Sequence, residues 1–144
     1  MITGIGKRLA LVSAAAAFAV GVAQVPASAN AQRQISGTSY SGCAYASGDY
    51  SYSYTGMKGG RKTYDARWDL RVGRASCDSI AHLRVRFDYW DAGADRWRDS
   101  DWKTIASSAS NNGSAQRESL VANVRFVACD YTSSSGNSGC MAVK

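Results

Sequence analysis

Three tryptophans, Trp90, Trp97 and Trp102, lie in or beside one predicted hairpin. Trp90 falls on the charged face of its predicted strand. If Trp90 and Trp102 are exposed together, their rings could stack on a sugar or anchor a protein partner. The alternative is that the rings fill the space between the sheets, which is the interpretation we favour for Trp97. The sequence therefore predicts Trp90 and Trp102 as candidate binding residues for a protein or a glycan.

Charge is segregated along the chain. Residues 58–74 contain six basic and two acidic side chains, a net charge of +4, whereas residues 88–101 contain five acidic and two basic, a net charge of −3. Facing strands would neutralise the two runs through cross-strand pairs. Otherwise Lys58, Arg61 and Lys62 belong to a basic patch for a partner. Nucleic acid is not expected, because the aromatic residues do not interleave with the basic run in a known fold motif.

Two motifs point to ligands but depart from the required patterns. Residues 56–63 come within one residue of a phosphate-binding P-loop, but Arg61 stands where a glycine is needed and a strand follows instead of a helix. The aspartates of residues 88–101 do not have the spacing of an EF-hand. Asp91 and Asp95 flank a turn, where aspartate bonds the local backbone, and calcium is the alternative to a solvated turn there. We predict no metal and no cofactor.

His82 is the only histidine. With Glu118 it could form the acid/base pair of a small secreted ribonuclease, although such enzymes generally place the glutamate before the histidine. The members of a Ser/His/Asp triad need not be close in sequence, but no serine lies in the glycine pattern of a nucleophile elbow. We therefore predict no catalytic residue and a protein that is not an enzyme, with a hydrolase or nuclease using His82 as an alternative.

Apolar and polar side chains alternate with a period of two over residues 64–72, 81–89 and 120–128. Tyrosines alternate with serines over residues 50–54. This period is typical of half-buried strands, and no window has convincing helical periodicity. The prediction is an all-β fold, a small antiparallel β-sandwich or open barrel.

The N-terminus has the parts of a secretory signal. Lys7 and Arg8 precede an uncharged apolar run, and small residues follow Pro26, so we predict a signal peptide over residues 1–29. The run is too short to span a bilayer, and no membrane association is expected. Without Lys7 and Arg8 the remaining chain has 15 basic and 11 acidic side chains, a net charge of +4. We expect a flexible arm over residues 30–41, a single domain over residues 42–144 and an extracellular location.

All four cysteines lie after the predicted signal. An even number in an exported chain predicts two disulfides. Three pairings are possible. We favour Cys43 with Cys77 and Cys129 with Cys140, because the second bridge closes a short loop rich in serine and glycine.

Three features carry a resemblance to known proteins: the signal ending Ala27-Ser28-Ala29, the arm rich in tyrosine, serine and glycine, and residues 124–129 followed by a loop to Cys140. The chain resembles small secreted proteins of filamentous Gram-positive bacteria, and within that class the adaptor subunits of umbrella toxin particles. The resemblance implies a disulfide-bonded β protein that joins other subunits of an extracellular toxin assembly and acts in competition between bacteria.

These observations favour a secreted interaction module without enzymatic activity. We expect the arm, with Ile35 and Tyr40, to add as a strand to the open sheet edge of another secreted protein. A carbohydrate-binding or cell-wall-binding module is the alternative.

Overall fold

The computed structural model describes residues 31–144, and the predicted signal peptide lies outside this range. The described chain consists of eight β-strands joined by turns and short loops, and it contains no helix. The strands are β1 (Ala31–Thr38), β2 (Ala44–Lys58), β3 (Arg61–Arg74), β4 (Ile80–Asp91), β5 (Arg96–Asp99), β6 (Lys103–Ser107), β7 (Gly113–Thr132) and β8 (Gly136–Val143). The prediction of an all-β fold is confirmed.

All ladders are antiparallel and belong to one continuous sheet, in which β7 is the common strand. Its first part pairs with β3, and its second part lies between β4 and β8. Leu120 and Asn123 have positive φ angles of 56° and 51°, so the strand bends between its two parts. We call β1, β2, β3 and residues 113–121 the first half-sheet, and β4, β5, β6, β8 and residues 122–132 the second half-sheet.

The two half-sheets pack face to face over one core. Trp68 of β3 and Tyr50 of β2 each contact Phe126 of β7 edge to face, with ring centroids 5.4 and 5.3 Å apart. Apolar side chains alternate with charged ones in β3 and β4, as expected for strands with one buried face. The largest fully buried apolar side chains are Leu70, Leu83, Val85 and Val121.

The strand ladder does not close into a barrel. Ser36 of β1 exchanges two backbone hydrogen bonds with Lys144, and the Tyr40 amide donates to the Gly139 carbonyl. These bonds join the end of β1 to the end of β8, but among the described residues 31–144 β1 has no ladder partner other than β2. One edge of the sheet therefore stays open along the first half of β1.

Both disulfides pair as the sequence analysis favoured. Cys43–Cys77 joins the loop before β2 to the loop after β3, and Cys129–Cys140 joins β7 to β8. None of the four cysteines is free. Both bridges lie close to Asp130, which accepts hydrogen bonds from Ser41 and from the Ala44 amide. The two disulfides indicate that the chain folds in an oxidising compartment.

The predicted flexible arm is instead the edge strand of the sheet. Ala31–Thr38 pairs with β2 along its whole length, and Ile35 lies opposite Gly48 and is 3% exposed. The serines of the following turn, Ser39 and Ser41, donate hydrogen bonds to the Asp130 carboxylate. Backbone hydrogen bonds hold β1 even though its side chains are mostly polar, so this segment is not free to leave as an arm.

Candidate functional site

The tryptophans predicted as a pair lie in two different environments. Trp90 packs edge to face against Trp97, with ring centroids 5.8 Å apart, and a Cβ at Gly59 would lie 2.7 Å from the Trp90 ring. Trp97 donates a 2.9 Å hydrogen bond to the Lys58 carbonyl, and the Arg61 guanidinium lies 4.4 Å from its ring centroid. These contacts fasten the tip of the β2–β3 hairpin to the β4–β5 hairpin. Trp90 therefore packs between the two hairpins, and Trp102 takes no part in these contacts.

The two charge runs neutralise each other in part, as the cross-strand interpretation expects. Arg61 of the basic run pairs with Asp88 of the acidic run at 2.5 Å. Burial acts to raise the pKa of Asp88, but hydrogen bonds from Arg61 and Asn123 outweigh it and hold the pKa below its usual range. Asp91 and Asp99 pair with Arg98 and Arg86. Lys58 and Lys62 stay exposed at the hairpin tip.

The acidic hairpin is a hydrogen-bonded turn. The Asp91 carboxylate accepts hydrogen bonds from the amides of Gly93 and Ala94. This is the local bonding that makes aspartate common in turns. Within residues 31–144, no group of three or more acidic, thiol or imidazole side chains is placed to hold a metal ion.

His82 and Glu118 are not brought together. The His82 ring stacks on Tyr131 with centroids 4.3 Å apart, and its Nδ1 lies 2.8 Å from the Asn137 side-chain oxygen. His82 pairs across the sheet with Cys129 in the second half-sheet, whereas Glu118 pairs with Ala66 in the first. The contacts of His82 are those of a side chain packed on the surface of a strand.

A groove runs along the open side of the sheet, between β1 and the bend of β7. Its wider part has a volume of about 440 Å³ and its narrower part about 200 Å³, and both are lined by Arg33, Tyr50 and Val124. We call it the β1 groove; its other lining residues are Ile35, Tyr52, Tyr64, Trp102, Ala122, Asn123, Arg125, Phe126, Val127, Ala142, Val143 and Lys144.

The β1 groove lies beside unpaired backbone. In an antiparallel strand the backbone groups of alternate residues point to the same edge. Because the Ser36 amide and carbonyl face outward to Lys144, those of Gln34 and Gln32 face outward as well. Within residues 31–144 they have no partner strand, so β1 presents two donors and two acceptors along the groove.

Only part of this site was visible in the sequence. Two of the predicted binding residues, Ile35 and Trp102, line the groove, although Ile35 is buried at its base. Tyr40 is 85% exposed on the turn after β1 and is absent from the groove lining. Arg33, Val124 and Arg125 were missed, because strand register brings them together from distant segments and no local pattern marks them.

Tyr50 contributes an ionisable phenol to the lining of the groove. Burial raises its pKa to about 12, against the opposing effect of the Arg33 guanidinium, which lies 5.7 Å from the ring centroid. In the unfolded chain the phenol loses its proton near pH 10, while in the folded chain it keeps the proton until about pH 12. The folded state then binds more protons, so stability is lost as the pH rises through this window.

We expect the free energy of unfolding to fall by about 2–3 kcal/mol between pH 10 and pH 12 on account of Tyr50. Denaturant titrations at several pH values measure this slope. Tyr50→Phe is the control, because it keeps the ring against Phe126 but removes the ionisable group, and its slope should be shallower. Equal slopes for the two proteins would contradict the assignment.

No protein-family model, no curated protein and no solved structure matches the chain. No helix within residues 31–144 is long and apolar enough to cross a membrane.

Proposed function

We propose that this protein is a secreted interaction module without enzymatic activity, and that it binds an extended acidic segment of another exported protein as an added strand at β1. The observation that carries the proposal is the unpaired backbone of Gln32 and Gln34 beside the β1 groove. An open sheet edge next to pockets for alternate side chains is the arrangement by which proteins take up an extended peptide.

The apolar lining supports binding of aliphatic side chains. Val124, Phe126 and Val143 line the wider part of the groove, and the rings of Tyr52 and Tyr64 line the narrower part. Tyrosine and tryptophan are enriched in the energetically dominant parts of protein interfaces. A strand added at β1 would point every second side chain into these pockets.

The charge of the groove supports an acidic partner. Its charged side chains are Arg33, Arg125 and Lys144, and no carboxylate side chain lines it within residues 31–144. A segment that alternates aliphatic and acidic residues complements both the apolar lining and the basic side chains of the groove. A second copy of the chain is a poor occupant, because it would bring the same basic side chains to the contact.

The cysteines and the N-terminus support the proposed extracellular location. Two disulfides are stable in an oxidising compartment, and residues 1–29 have the composition of an export signal. An adaptor that joins subunits of an extracellular toxin assembly, as the resemblance implies, would need such a strand-binding edge. The sequence analysis expected residues 30–41 to add as a strand to the sheet of a partner. In this proposal the partner instead supplies the strand, which adds to β1.

The test uses a synthetic probe of defined chemistry. A seven-residue peptide of alternating glutamate and valine is titrated into the ¹⁵N-labelled, disulfide-bonded protein and followed by nuclear magnetic resonance. We expect saturable shifts at the amides of Gln32 and Gln34 and at residues 122–127. The same peptide with lysine in place of glutamate should bind at least about tenfold more weakly.

Two variants separate strand addition from simple charge attraction. Gln34→Pro removes the outward amide, which an edge strand tolerates because that amide makes no bond within the sheet. It should weaken binding by about tenfold or more, whereas Gln34→Ala should not. Arg33→Glu should also weaken binding, with Arg71→Glu on the opposite face as the matched control. Equal binding by Gln34→Pro and the native protein would overturn the proposal, as would preference for the lysine peptide.

A further inference from the structure

The outer face of the first half-sheet carries polar and charged side chains arranged in rows across the strands. One row consists of Gln32, Ser51, Arg67 and Arg117, which lie opposite one another in the registers of β1, β2, β3 and β7. The next row contains Gln34, Asp49, Asp69 and Ala115. In β2 and β3 these side chains alternate with buried ones, Tyr50 in β2 and Ala66, Trp68 and Leu70 in β3, so this face points away from the core.

A trough of about 300 Å³ crosses this face, lined by Gln32, Ser51, Tyr52, Ser53, Asp65, Arg67 and Arg117. Its lining combines two serine hydroxyls with longer amide, guanidinium and carboxylate side chains. A shallower depression of about 560 Å³ continues from it past Asp49 and Asp69. The trough lies on the opposite face of β1 and β2 from the β1 groove.

The charges on this face are only partly paired with each other. Arg67 lies directly opposite Arg117, and Asp49 lies directly opposite Asp69, which are unfavourable placements for like charges. Arg117 pairs with Asp65 at 2.5 Å, and that hydrogen bond is the main reason why the pKa of Asp65 lies below its ordinary value. Within residues 31–144 no ion pair involves Arg67, Asp49 or Asp69, so their hydrogen-bonding capacity is open to a ligand.

We propose that the trough binds the sugar units of a neutral polysaccharide lying across the strands. Arginine offers only donors and an ionised carboxylate only acceptors, and both kinds stand here side by side with amide and hydroxyl groups. A sugar hydroxyl donates and accepts at once, so neighbouring hydroxyls of one ring satisfy both kinds of group.

The charges that line the trough and the depression beside it favour a neutral ligand over a charged one. Asp49, Asp65 and Asp69 against Arg67 and Arg117 leave a net charge of −1. A polyanion such as heparin would meet three carboxylates, and a polycation would meet two guanidinium groups. The proposal goes beyond strand binding at β1 and does not rest on it, because the two sites use different faces.

The test is a titration of the ¹⁵N-labelled protein with four neutral hexasaccharides, built of β-1,4-linked glucose, N-acetylglucosamine, xylose or mannose. At least one should give saturable shifts at the amides of Ser51, Ser53 and Arg67. Arg67→Ala and Asp65→Asn should each weaken that binding by about tenfold. Arg71→Ala is the matched control, since it removes the same charge from the same face outside the trough and should leave binding unchanged.

Thermal melting of each variant shows that the fold is intact. The proposal is overturned if none of the four sugars produces saturable shifts, or if heparin alone binds. It is also overturned if the shifts fall on residues 122–127 of the β1 groove, or if Arg71→Ala weakens binding as much as Arg67→Ala does. Loss of peptide binding at β1 leaves these outcomes unaffected, so the two proposals fail separately.

Discussion

Replacing Cys43 and Cys77 together by alanine is expected to lower the free energy of unfolding by about 4 kcal/mol, because the bridge closes a loop with a sequence separation of 34 residues. A disulfide stabilises mainly by restricting the unfolded chain, and this restriction grows with the length of the loop. For a domain of this size the melting temperature should fall by roughly 15 °C. Differential scanning calorimetry under oxidising conditions measures the change.

Replacing Cys129 and Cys140 provides the comparison. That bridge has a sequence separation of only 11 residues, so its removal should cost about 3 kcal/mol, less than the longer loop. The order of the two melting temperatures tests whether loop length is the main factor. A larger loss for the Cys129 and Cys140 variant would mean that the bond between β7 and β8 matters more through native contacts than through chain entropy.

Trp68→Ala is expected to cost roughly 3–5 kcal/mol, the usual effect of deleting a large buried aromatic side chain. Trp68 is 3% exposed, contacts Phe126 across the core and donates a 3.4 Å hydrogen bond to Ser114. The substitution would leave a cavity between the two half-sheets and an unpaired hydroxyl. Chemical denaturation followed by the fluorescence of the remaining tryptophans measures the loss.

Trp97→Ala is the matched control for this prediction. Trp97 lies half-buried at the hairpin tips, where it contacts Trp90 and the Lys58 carbonyl. Its loss should cost only about 1–2 kcal/mol, since a hydrogen bond and an aromatic contact are removed but no core cavity forms. If Trp97→Ala destabilised the protein as much as Trp68→Ala, the core would not be centred between the half-sheets.

The two proposed sites would suit an adaptor that holds two partners at once. The β1 groove opens on the inner side of β1 and β2, where we propose that a protein strand binds, and the trough where we propose that a glycan binds lies on the outer face. Gln32 contributes to both, with its backbone at the edge and its side chain in the trough. A protein bound at the edge would therefore lie beside the glycan without covering it.

The strands and disulfides could be predicted because the signals for them are local in the sequence. Alternation over residues 64–72, 81–89 and 120–128 appears as β3, β4 and β7, because one buried face imposes a period of two. The favoured cysteine pairs are those observed. The segment before Cys43 was misassigned as an arm, because its polar side chains hide a strand that backbone hydrogen bonds hold in place.

The two proposed sites could not be predicted from the sequence, because each is formed by segments far apart in the chain. The pairing of Trp90 with Trp97, and the separation of Trp102 from both, follow from the register of β4 and β5. The β1 groove joins Arg33 to Val124 and Arg125 across the bend in β7, and a shift of one residue in any ladder would turn these side chains to the other face.

Composition and alternation by themselves determined an all-β, disulfide-bonded domain with one core, because burial of apolar side chains acts on each strand separately. Only the tertiary structure decided which edge stays unpaired and which side chains share the groove and the trough, because these depend on how far the folded sheet closes and on the register between strands distant in sequence.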